Sequence, residues 1–498
     1  MDDLITQHDL VIVSNRAPFS IQGGENGEKK FQRSGGGLVT ALLGLALQVP
    51  TTWIACATTD EEREWKEGDI RIGDDGESIH EVFIDPSPQA YNDYYQVISN
   101  PLLWFLQHSI WDFAHSPILN RATWHAWDEG YVQVNRLFAD AVVNRVRKNL
   151  NPSLVMLQDY HLYLAPRFIR KRLRRQDTLL THFIHIPWPG PEDWGLLPGR
   201  MREAILDGLC AVDMVGFQTR EDALNFMRTC ESLLPGARIN YRSGRVDYRG
   251  RTTHVRDFPI SIDVASLREQ AADEEVAQYR ESLEELLEGR QMILRIDRTE
   301  PSKNIVRGFL AYDEMLEIYP EHHGKVQFVA ILVPSRLEVE EYQGYLEDLM
   351  AAAGNVNAKY GTSDWEPVRV LVGESYPRAV AAMQLYDVLL VNPVADGMNL
   401  VAKEGAIVNE RDGVLVLSER AGAHQQMGDH ALVISPCDIS ATAEAMNMAL
   451  TMSKEERHRR AKALKQSVER EDIRLWLCWQ LEALQELTGK KAATHEYR

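Results

Sequence analysis

Two cations, Arg298 and Lys303, stand in the segment Asp297-Arg-Thr-Glu-Pro-Ser-Lys-Asn304, directly behind the apolar run Met292-Ile-Leu-Arg295. A guanidinium supplies a planar fork and an ammonium a point charge. Set in a tight loop at a strand's carboxyl end, the two match a diphosphate. A surface ion pair would use the same residues. A second segment, Asp396-Gly-Met-Asn-Leu-Val-Ala-Lys-Glu-Gly405, follows the run Val388–Val391. Gly397 permits a turn, and a helix starting near Asn399 leaves free N–H groups for a phosphate or a sugar hydroxyl. Glu404, two turns on, is within reach of ribose hydroxyls. An Asp-Gly turn capping a helix accounts for the same pattern. In Ser34-Gly-Gly-Gly-Leu38, ahead of the helical Val39–Leu47, Gly36 and Gly37 free the backbone to face an anion, although such a turn is also an ordinary loop.

Gln158-Asp-Tyr-His161 and His182-Phe-Ile-His-Ile-Pro-Trp-Pro189 each end a strand. An acid, Asp159, and a histidine, His185, at neighbouring strand ends fit a sugar-binding cleft. His182 falls inside its strand, and carboxylates at ligand spacing are missing, so the two histidines are not a metal pair. No Asp-x-Asp pair is present to hold a divalent ion against a diphosphate. The expectation is therefore no metal and no cofactor.

The elements that position these residues alternate from end to end. Apolar strands are predicted at Leu10–Ser14, Leu154–Leu157, His182–Ile186, Met214–Phe217, Met292–Arg295, Val326–Val333, Val388–Val391 and Val414–Leu417, with helices such as Arg200–Cys210 and Arg220–Leu233 between them. Continuous apolar strands separated by helices imply parallel sheets covered on both faces. Hairpin-like turns at Ser243-Gly244 and Arg249-Gly250 break the alternation, and a hinge is placed at Asp257–Asp263. The predicted domains are 1–257 and 258–470, both doubly wound, with a docked helix in 471–498 that frays from about Lys490. Ligands would bind at the carboxyl ends of the strands.

Composition limits the remaining choices. A chain of 498 residues is too long for one ordinary core, and 44% hydrophobic with 26% charged residues is globular. A net charge of −19 argues against nucleic acid as a partner. The basic run Arg167–Arg175 reads as a solvated helix face. No stretch is apolar enough to span a bilayer, and the acidic amino terminus is unlike a signal peptide, so a cytoplasmic protein without a membrane partner is expected. Five scattered cysteines without a C-x-x-C pair are expected to be reduced.

The set and its order matter more than any member. Ser14-Asn-Arg16, Gly35-Gly-Gly-Leu38, Tyr91-Asn-Asp-Tyr-Tyr95, Asn100 with Trp104, Gln158–His161, His185–Pro189, Arg298 with Lys303, Pro334-Ser-Arg336 and Asp396–Glu404 resemble the trehalose-6-phosphate synthase family, retaining enzymes of glycosyltransferase family 20, from about residue 10 to about 485. The resemblance implies the GT-B fold, two Rossmann-like domains facing across a cleft, with a carboxyl-terminal helix crossing back. It implies glucosyl transfer from GDP-glucose or UDP-glucose, with a lean to GDP-glucose, onto glucose 6-phosphate. Gly36, Gly37, Arg298 and Lys303 would meet the donor diphosphate. Asp396 and the backbone of Gly397, Met398, Asn399, Leu400 and Val401 would meet the donor sugar and phosphates, and Glu404 the ribose. Arg16, Tyr95 and Arg336 would grip the acceptor phosphate beside Trp104. Asp159 would orient acceptor hydroxyls, and His185 would sit at the donor sugar. The partners implied are thus a nucleotide-sugar donor and a sugar-phosphate acceptor, with self-association left open. One departure is Trp53-Ile-Ala-Cys56, where many members have Trp-x-Gly-Trp. It leaves as alternatives a cyclitol-joining relative, transfer to another phosphorylated polyol, or a silent sugar-phosphate sensor.

Overall fold

The structure, a computed structural model, describes residues 7–23, 29–33, 37–46, 49–72, 77–112, 114–173, 178–336 and 338–495. Two compact units divide it: residues 1–259 with 475–498, and residues 260–474.

The first unit is built on one ten-stranded sheet. Its strands are β1 (Asp9–Val13), β4 (Thr51–Cys56), β5 (Glu67–Ile72), β6 (Glu77–Ile84), β7 (Ser153–Gln158), β8 (Thr178–Ile184), β9 (Met214–Phe217), β10 (Arg238–Asn240), β11 (Arg245–Tyr248) and β12 (Arg251–Asp257); β2 (Phe19–Gly23) and β3 (Lys29–Arg33) form a separate antiparallel pair. The order is β10-β11-β12-β9-β8-β7-β1-β4-β6-β5, and β6, β4, β1, β7, β8, β9 and β12 run parallel. β1, β4, β7, β8 and β9 are buried almost throughout. Apolar residues at consecutive positions are required there because helices cover both faces. The antiparallel end, β10 to β12, contains the predicted turns. Arg249 and Gly250 both have positive φ (48° and 75°), as a two-residue hairpin turn demands.

The second unit has six parallel strands, β13 (Gln291–Arg298), β14 (Val326–Val333), β15 (Val368–Val372), β16 (Val388–Val391), β17 (Val414–Ser418) and β18 (Leu432–Ile434), in the order β15-β14-β13-β16-β17-β18. This is the 3-2-1-4-5-6 order of a dinucleotide-binding sheet. The parallel strands of the first unit, from β6 through β1 to β9, follow the same rule. Ile293, Phe309, Tyr312, Phe328, Leu332, Val416 and Met446 are among its core residues, each buried completely or nearly so.

Several boundaries differ from the sequence expectation. β13 runs on to Arg298, paired with Val333 of β14, so Arg298 closes a strand and does not lie in a loop. β8 stops at Ile184, which places His185 and Ile186 beyond it. The basic helix Ala165–Arg172 is not wholly a solvated face: Arg170 is part-buried, donates to the carbonyls of Ala211 and Thr178, and pairs with Asp213. Arg174 and Arg175 lie outside the described residues. The carboxyl-terminal helix spans Ile473–His495, past the expected end near Lys490. From Leu475 it belongs to the first unit, where Trp476 and Leu484 are fully buried. All five cysteines are free thiols.

Candidate active site

In a doubly wound sheet the crevice opens where strand order reverses, at the carboxyl ends of strands 1 and 4. In the second unit those are β13 and β16, and the two charged segments follow them. Lys303, at the end of the turn Pro301–Lys303 behind β13, places Nζ 2.5 Å from Oδ2 of Asp396, behind β16. Burial works against the ammonium charge, but the Asp396 and Glu300 carboxylates outweigh it and hold the Lys303 pKa above its ordinary value. Asn399 Nδ2 donates to the same Oδ2 at 3.1 Å, while its own Oδ1 accepts from Ala402 N and caps the helix Leu400–Val408. Met398 is buried and Leu400 and Val401 are half-buried at that helix start. The turn is tight: a Cβ on Gly422 would come within 1.9 Å of the Gly397 carbonyl oxygen, so only glycine fits there.

Behind β13 the backbone is held by charges that the sequence reading did not single out. Arg295 is fully buried, pairs with Asp297 at 2.7 Å and donates to the carbonyls of Ile305 and Lys303. Arg298 Nε lies 2.6 Å from Oε1 of the fully buried Glu300, whose Oε2 is 3.5 Å from Arg336 Nη1. Arg336, behind β14, also donates to Tyr342 Oη at 2.6 Å. Glu404 is half-buried one turn along the helix from Leu400, within 3.4 Å of Tyr376 Oη, and burial pushes its carboxyl up to about 7. Its neighbour Lys403 is buried against the carbonyl of Ile260 at 2.7 Å, and burial lowers its pKa to about 7.

The corresponding reversal in the first unit lies between β1 and β7. Arg16, exposed, follows β1, and Asp159 follows β7. Asp159 has φ 69° and ψ 177°, a conformation that costs a non-glycine residue about 1–3 kcal/mol. Its N–H donates to Phe183 O at 2.7 Å, its carbonyl meets His182 Nε2 at 2.9 Å, and its Oδ1 accepts from His185 N at 3.3 Å. Burial lowers the imidazole pKa of His182 to about 4 and that of His185 to about 3, so both rings are neutral at pH 7. Gln218 Nε2 donates to His185 Nδ1 at 3.2 Å, which leaves the proton on Nε2 to donate to Gln158 Oε1 at 3.0 Å. Both ring nitrogens are thus engaged by side-chain amides. Trp476 of the returning helix packs edge-on to Phe183 at 5.4 Å and lies 6.4 Å from the His185 ring. Nothing in the local sequence around His185 points to that contact.

The aromatic residues separate into two kinds. Tyr95 is half-buried in a parallel stack with Tyr91 (5.6 Å) and His161 (5.8 Å). Trp104 is 5% exposed, stacked on His108 at 4.0 Å and tilted against Tyr160, which makes it part of the wall. Trp53 is fully buried, with its indole N–H on Ser14 Oγ, and Cys56 is buried at the end of β4. Gly36 lies outside the described residues, and Gly37 begins the helix Gly37–Ala46. The structure thus gathers Arg298, Lys303, Arg336, Asp396 and Asn399 in the second unit, and Arg16, Tyr95, Trp104, Asp159 and His185 in the first. No group of three or more potential metal ligands occurs among the described residues.

The model of glycosyltransferase family 20 matches residues 8–486. The chain belongs to this family. It is 32% identical over 481 residues to the UDP-forming alpha,alpha-trehalose-phosphate synthase of Schizosaccharomyces pombe, covering 95% of this chain and 90% of that one. A family structure from E. coli with UDP-2-fluoro glucose bound superposes with a TM-score of 0.82 at 31% identity, covering 96% and 98% of the two chains. A UDP-forming synthase from Burkholderia xenovorans in complex with glucose-6-phosphate gives 0.81 at 26% identity, covering 96% and 100%. The fold class is therefore GT-B, and the chain is a trehalose-6-phosphate synthase-like glycosyltransferase. No helix among the described residues is long and apolar enough to cross a membrane.

Proposed function

We propose that this family 20 enzyme transfers glucose, with retention and without a metal, from a nucleotide-glucose to glucose 6-phosphate, forming trehalose 6-phosphate. The observation that carries this reading is the position of the charged segments. The reversal of the second sheet is flanked by Arg298 and Lys303 on one side and by Asp396 and a helix amino terminus on the other. Cations, a carboxylate and free N–H groups at such a crevice suit a nucleotide diphosphate and the hydroxyls of its sugar. The synthases of Schizosaccharomyces pombe and Burkholderia xenovorans are UDP-forming, which favours UDP-glucose over the GDP-glucose that the sequence alone leans towards.

In this mechanism Arg298 and Lys303 neutralise the charge that grows on the leaving diphosphate. That term matters more in the transition state than in binding. The leaving phosphate takes the acceptor proton on the same face of the sugar, so no protein nucleophile is needed. Asp159 orients acceptor hydroxyls, the neutral His185 sits at the donor sugar, and proximity supplies much of the acceleration. Arg16, Tyr95 and Arg336 grip the acceptor phosphate; two guanidinium forks and a phenol suit a dianion, which a neutral sugar could not use.

A donor-by-acceptor activity matrix with product identification tests the proposal. UDP-glucose and GDP-glucose are crossed with glucose 6-phosphate, free glucose, glycerol 3-phosphate and a cyclitol phosphate. Trehalose 6-phosphate from glucose 6-phosphate, with free glucose essentially inert, is the expected result. Equal rates with free glucose would remove the phosphate grip. A product from the polyol or cyclitol alone would keep the grip and change the acceptor. Binding without any product would make the chain a sensor.

A further inference from the structure

We propose that Glu300 is a positioning residue that fixes Arg298 and Arg336 together, so that one buried carboxylate orients both the donor-side and the acceptor-side arginine. The proposal rests on the roles given to those two arginines above. Glu300 is fully buried, with Oε1 2.6 Å from Arg298 Nε and Oε2 3.5 Å from Arg336 Nη1. A carboxylate removed from water at this depth is tolerated only when paired, and losing its partners would leave an uncompensated charge. Here both of its oxygens are turned to guanidinium groups. The two arginines come from the ends of adjacent parallel strands, β13 and β14, and their loops are joined a second time by Ser335 N donating to Thr299 Oγ1 at 3.2 Å.

The geometry goes beyond neutralisation. The ion pair at Nε holds the Arg298 charge beside Glu300 while the side chain stays 46% exposed. Arg336 is held at Nη1 by Glu300 and by Tyr342 Oη, with its guanidinium 5.4 Å over the Tyr342 ring. Its backbone sits at φ 49°, a left-handed position that an arginine rarely adopts unless its surroundings impose it. Glutamine at position 300 would keep the shape but offer one acceptor and one donor, so one of the two arginines would face an N–H group.

The test is steady-state kinetics of E300Q and E300D beside R298A and R336A, with thermal unfolding of each. R298A should mainly lower kcat, and R336A should mainly raise the acceptor KM. E300Q should do both, each by about 10- to 100-fold, as when a group orienting a functional ligand is lost. E300D, with its carboxylate drawn back by one methylene, should fall between E300Q and wild type. A merely structural role would lower the melting temperature and the active fraction, and with them apparent kcat, but would leave the KM values of the folded enzyme unmoved. Unchanged KM values in E300Q therefore overturn the proposal while the arginine roles stand. If E300Q does not fold, E300D decides alone, and wild-type constants in E300D overturn the proposal. If R298A and R336A show no such split, the reading of the site fails and this inference falls with it.

Discussion

Lys303→Met removes the ammonium and keeps most of the side chain, which leaves Asp396 facing an apolar group. Both side chains are 14% exposed and their charged atoms are 2.5 Å apart. Breaking a buried pair by removing one partner costs about 3–5 kcal/mol. The lower end applies because Asp396 keeps a bond from Asn399 Nδ2 at 3.1 Å. A loss of about 3 kcal/mol is expected, or roughly 6–12 °C in melting temperature for a unit of this size. Adding Asp396→Asn in the same chain removes the stranded charge and should recover about 2 kcal/mol. Turnover behaves differently. K303M should lower kcat by about 100- to 1,000-fold, as for other groups that stabilise developing charge, and the second substitution should restore none of it. Denaturant unfolding and initial rates on the four proteins of the cycle give both answers. A double variant no more stable than K303M would refute the ion-pair argument, and near-normal turnover in K303M would remove Lys303 from the chemistry.

Three further outcomes follow from particular groups. Burial holds Glu404 protonated below a pH of about 7, so the donor KM should rise as pH falls through 7, and E404Q should flatten that profile. For stability the sign is opposite: a carboxyl raised from 4.5 to about 7 on folding costs stability as pH climbs through that window, a cost that E404Q removes and chemical unfolding at pH 5 and 8 would detect. Activity should persist in excess chelator, because in the proposed mechanism Arg298 and Lys303 take the place of a metal at the diphosphate; loss with chelator and recovery with magnesium or manganese would contradict this. Finally, R336G should be at least as stable as R336A, reversing the usual penalty of about 0.5–1 kcal/mol for glycine, because φ is 49° there and both variants lose the same ion pair.

The strands most legible in the sequence were those buried on both faces. Met214–Phe217, Val326–Val333 and Val388–Val391 were read to the residue because no charged residue falls in them, and Gln327 is the one polar side chain among them. β13 was read three residues short at its carboxyl end for the opposite reason. Arg295 looks like the end of an apolar run, yet it lies fully buried on Asp297 and two carbonyls, and the strand continues past it to Arg298. Arg170 misled in the same way, since one cation in a basic run is satisfied internally by Asp213. The residues facing each sheet reversal were legible through their types and order. Their supports were not: Glu300 reads as one more surface acid in a charged segment, and Trp476 lies almost three hundred residues from the histidine beside it. Such contacts depend on which strands become neighbours, and local spacing does not encode that.

What the sequence also concealed is how much local strain the segments behind the parallel strands carry. Asp159, Asn304, Arg336 and Asn399 all have positive φ, and each lies in a segment behind a parallel strand. Asn304 and Asn399 are of a type that tolerates this conformation, and each is used twice. Asn304 Nδ2 reaches the carbonyls of Asn392 and Pro436, which ties the loop behind β13 to that behind β16. Asn399 caps a helix and holds Asp396. Asp159 and Arg336 gain less from their backbone positions, because a glycine would fit both more easily. A charged side chain at a position that favours glycine carries a cost that the fold must recover elsewhere. It does so through named bonds: Phe183, His182 and His185 around Asp159, and Glu300 with Tyr342 around Arg336. The ordinary turns of the chain, such as Arg249-Gly250, place a glycine at one of their two positions. Lys66, Glu288 and Asp412 also take positive φ, so the conformation alone does not single out a position; at Asp159 and Arg336 it coincides with the charged segments that the proposed function uses.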